Sequence, residues 1–130
     1  MRPRLPRVSE KTEQAHIVQL LLSINAAVFV LGTRRPRGDH QGTCQTPGLP
    51  DLVAFLPSTG ERGTRQVWIE CKAIGGRLRA EQQNFKTLCE CAGVAHVVGT
   101  FDDVIAWLAA NGYVKAQSFP HYRQPKEISA

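Results

Sequence analysis

Apolar residues recur along the chain with two periods, and the switches between them mark out seven elements. After Ser9, which can cap a helix, Ile17, Leu20, Leu21 and Ile24 return at spacings of three and four and define a core-facing stripe. Glu13 falls on that stripe one turn before Ile17, a carboxylate on an inward face. Residues 26–33, AAVFVLGT, read as a first strand, and residues 34–50, rich in Gly, Pro and Arg, as a loop. LVAFL, residues 52–56, is a short continuous apolar strand. PSTGERGTR makes a polar turn region, and QVWIECKA, residues 66–73, is the returning strand. Two such strands around one turn predict an antiparallel hairpin at the centre of a sheet.

Gly75 and Gly76 break this strand. A helix follows from Arg79 to about Ala92, with Phe85, Leu88, Cys89 and Ala92 on its inward face, Gln82 on or beside that face, and Gly93 as its stop. AHVVGTF is the next strand, Asp102 caps a last helix that reaches Asn111, and Gly112 follows it. From Tyr113 onward no period is visible, which predicts a loosely attached tail. The order is αβββαβα, and the architecture it implies is α/β, a mixed sheet flanked by helices on both faces. One domain over residues 9–112, with a basic tail at 1–8 and a second tail at 113–130, accounts for the whole length.

Against this pattern the strand VWIECKA stands out, because Glu70 and Lys72 interrupt a run that otherwise reads as buried. A buried charge is costly unless it is paired or bound to a metal. Alternation along a strand puts Glu70 and Lys72 on one face, about 6.6 Å apart, and Ile69 and Cys71 on the other. If the strands pair around the PSTGERGTR turn, Asp51 at the start of its strand comes near the Glu70–Lys72 end of its neighbour. Two carboxylates and an ammonium then converge, a set that suits Mg2+, with the backbone carbonyl of Cys71 as a further ligand. Glu13 from the first helix and Gln82 from the second can reach the same pocket.

These parts suit phosphodiester hydrolysis. A metal polarises the phosphate and acidifies a bound water, and Lys72 stabilises the developing charge or orients that water rather than serving as a free general base. Each residue also has a plainer reading. Glu70 and Lys72 can be a surface ion pair, Asp51 a turn residue, Glu13 a dipole partner of its own helix, and Gln82 an ordinary surface residue. The four histidines, His16, His40, His96 and His121, are scattered and read as structural or solvated. The convergence of separate elements on one sheet end favours the site.

Charge adds a partner. Lys and Arg outnumber Asp and Glu by 16 to 11, a net charge of +5, concentrated in MRPRLPR and GTRRPRGDH. Such a balance suits a polyanion such as nucleic acid. Cys44, Cys71, Cys89 and Cys91 lack the CxxC spacing of zinc sites and read as free thiols. No apolar run is long and clean enough for a spanning helix, and the N-terminus has no signal-peptide pattern, which predicts a cytoplasmic protein without a membrane partner.

GLPDL, then IECK a hairpin's length later, then LRAEQQNF with Gly93 behind it, resembles the virus-type replication-repair nuclease (VRR-NUC) domain of the PD-(D/E)XK nuclease superfamily. The resemblance covers roughly residues 9–110. It implies a restriction-endonuclease-like core and a Mg2+- or Mn2+-dependent endodeoxyribonuclease. Asp51 and Glu70 would correspond to the metal-binding acids and Lys72 to the signature lysine. Glu13 would match the acid of the family's first helix and Gln82 the glutamine that opens the helix after the catalytic strand. Stand-alone members from phages or bacteria are similar to Holliday-junction resolvases and act as homodimers, while versions embedded in larger proteins cut flaps. The resemblance therefore implies branched or flapped DNA as substrate and a homodimer, in a bacterial cell or a phage-infected host. TRRPRGDHQGTCQTP does not align residue by residue, so Arg34, Arg35, Arg37 and His40 are suggested phosphate contacts only. A flap or general nuclease of the same superfamily is an alternative, as is a nucleic-acid-binding module without catalysis.

Overall fold

A computed structural model of the chain describes residues 8–31, 46–58 and 65–115. Three helices, α1 (Glu10–Ser23), α2 (Ala80–Ala92) and α3 (Phe101–Ala110), accompany four strands, β1 (Ala27–Val30), β2 (Leu52–Leu56), β3 (Arg65–Cys71) and β4 (Ala95–Gly99). The strands form one open mixed sheet in the order β1-β2-β3-β4. β1 pairs with β2 and β2 with β3 antiparallel, and β3 runs parallel to β4, joined to it through α2. The element order is the one the hydrophobic pattern implies, and β2–β3 is the central antiparallel pair.

Alternation along the strands divides the sheet into two unlike faces. Leu52, Ala54 and Leu56 of β2, Val67, Ile69 and Cys71 of β3 and Val97 of β4 form one buried layer with Ile17, Leu20 and Leu21 of α1 and Val104, Ile105 and Leu108 of α3. Each such aliphatic side chain contributes about 1.5–3 kcal/mol by leaving water. The opposite face carries Trp68 and Glu70, and α2 lies over it, with Phe85 edge-on to Trp68 at 5.3 Å and tilted against His96 at 5.7 Å. Burial lowers the His96 pKa, with Lys86 acting in the same direction.

Several boundaries differ from those the sequence predicts. Thr100, not Asp102, caps α3, because its hydroxyl accepts from the Asp103 amide while the Asp103 carboxylate accepts from the Thr100 N–H at 2.8 Å, a reciprocal capping box. On α2 the buried positions are Gln82 and Cys89, whereas Leu88 is 67% exposed and Ala92 faces solvent. The inward stripe shares Phe85 and Cys89 with the predicted one but runs back to Gln82 instead of on to Leu88 and Ala92. Tyr113 and Val114 are not loosely attached: Tyr113 stacks on Trp107 and, with Val114, packs against the core. Residues 1–7 and 116–130 lie outside the described part. Among the described residues no helix is long and apolar enough to cross a membrane.

Candidate metal centre and active site

The site lies where β2 begins and β3 ends. Leu52 is paired with Ile69, so Asp51 stands one residue beyond, across from Glu70. Its carboxylate accepts the Cys71 amide at 2.8 Å, taking the place of the strand neighbour that β2 no longer supplies. N–H and C=O of one strand residue point to the same side, so the Cys71 carbonyl faces the gap that Asp51 occupies. The Cys71 side chain points into the apolar layer, where burial pushes its thiol pKa up and leaves it without nucleophilic character. Cys71, Cys89 and Cys91 are free thiols, with Cys89 buried and Cys91 exposed on opposite sides of α2.

Glu70 is 2% exposed. One of its oxygens, Oε1, accepts from the Gln82 side-chain amide at 2.8 Å and lies 3.6 Å from the Lys72 ammonium. Gln82 in turn accepts the Arg79 amide at 2.9 Å, so its side chain both starts α2 and fixes the carboxylate. Lys72 is also buried, and its amide extends the β3–β4 ladder to Gly99 at 2.8 Å. Among the described residues the buried polar or charged side chains are Glu13, Glu70, Lys72 and Gln82. Side chains of these three types, Glu, Lys and Gln, are not buried by packing alone.

The third carboxylate comes from Glu10, a residue the sequence reading passed over. Oxygens of Glu10, Asp51 and Glu70 lie within 4.8 Å of one another. Glu10 sits one turn before Glu13 on the same stripe of α1, and that spacing is the signal that could have found it. Glu13 does not join the cluster. Its carboxylate crosses instead to the start of α3 and accepts the Phe101 amide at 2.7 Å, which satisfies one of the orphan donors there. The prediction that Glu13 enters the metal site is corrected accordingly: the inward stripe is real, and its carboxylate ties α1 to α3.

The electrostatics of this cluster suit a cation. Burial first, and the Asp51 carboxylate second, raise the Glu70 pKa to about 7, with Lys72 pulling the other way. Three converging carboxylates with one ammonium leave an excess of negative charge that a hard divalent ion neutralises. Opposite oxygens on one such ion stand roughly 4 Å apart, close to the spacing these carboxylates already have. The residues present therefore fit the group that the pattern of acids implies.

Clefts open on both sides. One, of about 310 Å3, is lined by Gly48, Asp51, Arg79, Glu81 and Gln82 among others. Gly48 forms its back wall in close contact with the first turn of α2. It has φ +93°, and a Cβ there would come 2.5 Å from the Glu81 carbonyl oxygen, so only glycine fits. The other cavity, of about 410 Å3, adjoins Lys72. The suggested phosphate contacts Arg34, Arg35, Arg37 and His40 lie outside the described residues. No family model, curated protein sequence or solved structure matches the chain.

Proposed function

We propose that this chain is a metal-dependent DNA endonuclease with a restriction-endonuclease-like core of the VRR-NUC type. The observation that carries the reading is the meeting of Asp51, Glu70 and Glu10 within 4.8 Å, with Lys72 3.6 Å from Glu70, at the buried end of the central hairpin. A bound Mg2+ or Mn2+ would polarise a phosphate oxygen and lower the pKa of a coordinated water.

Asp51 and Glu70 would hold the ion, with Glu10 and the Cys71 carbonyl completing the protein's share. Gln82 keeps Glu70 in one rotamer, and the Cys71 amide does the same for Asp51. Lys72 presents a fixed positive charge beside the acids, where it stabilises the extra negative charge on the phosphate as water oxygen bonds to phosphorus and one ester P–O bond breaks. The attacking water gives up its proton to solvent, and the leaving oxygen takes one up from solvent. The net charge of +5 supplies attraction for a polyanion without sequence preference. We propose branched or flapped DNA as substrate and a homodimer as the working unit, since two cuts across a branch call for two sites related by symmetry.

The test is incubation with branched, flapped, single-stranded and linear DNA in Mg2+, Mn2+ or EDTA, beside Asp51→Asn and Lys72→Ala. Cleavage that needs the metal and both side chains supports the proposal. Binding without cleavage of any substrate would leave only the nucleic-acid-binding alternative.

A further inference from the structure

Directly after Lys72 the chain makes a tight turn whose shape is fixed on both sides. The Gly76 amide donates to the Ala73 carbonyl at 2.9 Å, and Gly75 has φ +81°, the signature of a type II turn with Ile74 at its second position. Gly76 rests against the stem of Lys72: a Cβ there would lie 3.2 Å from Lys72 Cβ and 3.3 Å from Cδ. The turn is thus braced on the lysine and holds Ile74 at its tip, 76% exposed. A single exposed aliphatic residue is ordinary on a protein surface, but this one is held on a rigid turn two residues from the proposed catalytic lysine.

Ile74 borders the cavity of about 410 Å3 that Lys72 also lines, together with Val98, Thr100, Asp102 and Asp103. Among the described residues the lining of this cavity is uncharged or acidic apart from Lys72, and Lys72 faces Glu70. A phosphate would meet the Asp103 carboxylate there, so the sugar-phosphate backbone is poorly served. A nucleobase, neutral and flat with apolar faces, suits the same walls, and the volume falls in the range of small-molecule pockets.

We propose that the cavity beside Lys72 receives an unstacked nucleobase next to the scissile phosphate, with Ile74 as the apolar wedge that keeps the base out of the stack. The proposal rests on the nuclease reading and adds a basis for substrate choice to it. Extruding a base from a continuous duplex costs a few kcal/mol, and least where the base is already unpaired. A wedge at this position therefore favours junctions, flaps and single strands over intact duplex without any sequence-specific contact.

The experiment uses the full chain and a flapped duplex carrying 2-aminopurine, moved one nucleotide at a time across the branch point. Fluorescence is read with Ca2+ in place of Mg2+, so that no cleavage is needed. Wild-type protein should brighten the probe at one position, Ile74→Leu should retain the rise, and Ile74→Ala should lose it. Leu88→Ala, which removes another well-exposed aliphatic residue, on α2, should behave as wild type. In Mn2+ the ratio of branched to continuous duplex cleavage should fall about fivefold in Ile74→Ala, the low end of what one side chain packed on a base supplies. A rise of the same size in Ile74→Ala, or no rise at any position with the wild type, overturns the wedge. Failure of the nuclease reading is a different result, the absence of cleavage of any DNA by the wild type, and the fluorescence still decides on the base.

Discussion

The side chain of Gln82 joins two jobs: its amide donates to Glu70 at 2.8 Å, and its oxygen accepts the Arg79 amide at 2.9 Å at the start of α2. Helix initiation and carboxylate orientation are therefore coupled through one residue. Gln82→Ala leaves a buried carboxylate oxygen short of a donor and the helix without its cap, a loss of about 1–3 kcal/mol. Thermal unfolding should show this loss, and cleavage should fall because Glu70 can then leave its rotamer. Gln82→Glu should be worse than Gln82→Ala in EDTA, since it places a second carboxylate against Glu70, and should regain stability when Mn2+ is added.

Glu10 and Glu13 lie one turn apart on α1, yet they face different partners, which gives opposite expectations. Glu13→Ala removes the carboxylate that accepts the Phe101 amide and should cost about 1–3 kcal/mol of stability. Glu13→Gln keeps an acceptor there and should cleave DNA at close to the wild-type rate. Glu10→Gln should leave unfolding in EDTA unchanged and weaken Mn2+ binding, measured by calorimetry. If Glu13→Gln were the variant that lost metal, the placement of α1 would be wrong.

Glu70 makes the metal-free protein sensitive to pH. Its folded-state pKa of about 7 stands above the ordinary carboxylate value, so the folded chain holds this proton more tightly than the unfolded chain. The stability this contributes is complete below the ordinary carboxylate pKa and is lost as pH rises through about 7. In EDTA the unfolding midpoint should therefore drop from about pH 5 to about pH 8. Glu70→Gln should flatten that part of the curve. Mn2+ should reverse the wild-type loss, because a cation takes the proton's place among the carboxylates.

Gly48 tests how Asp51 is placed. Gly48→Ala forces a side chain into the Glu81 carbonyl and a left-handed backbone onto a residue that disfavours it, at about 1–3 kcal/mol. The loop TPGLP must then lift from α2, carrying Asp51 with it. The expected result is weaker Mn2+ binding as well as a lower unfolding midpoint, while a substitution at the exposed Thr46 should change neither.

Much of this arrangement is legible in the chain. Alternation is local and strict, so the placing of Glu70 and Lys72 opposite Ile69 and Cys71 follows from their order. Asp51 follows as well, because the number of residues between the two strands sets their register. Helix faces are less well specified. Stripes of spacing three and four on α1 admit both Glu10 and Glu13, and only tertiary packing decides that the first reaches Asp51 while the second reaches Phe101. The same ambiguity extends the inward face of α2 to Leu88 and Ala92, which are exposed, while Gln82 and Cys89 are buried as the pattern implies. Asp102 suits a cap by residue type alone, whereas Thr100 with Asp103 three residues on is the better capping pair.

The central claim is that Glu10, Asp51 and Glu70 form a divalent-cation site beside Lys72. Its most direct test is the anomalous scattering of Mn2+ in crystals of the wild-type protein. The account predicts one strong peak at metal–oxygen distance, about 2.0–2.6 Å, from carboxylate oxygens of Asp51 and Glu70, and no peak there in Asp51→Asn. A peak elsewhere, or a bare cluster at millimolar Mn2+, would contradict it.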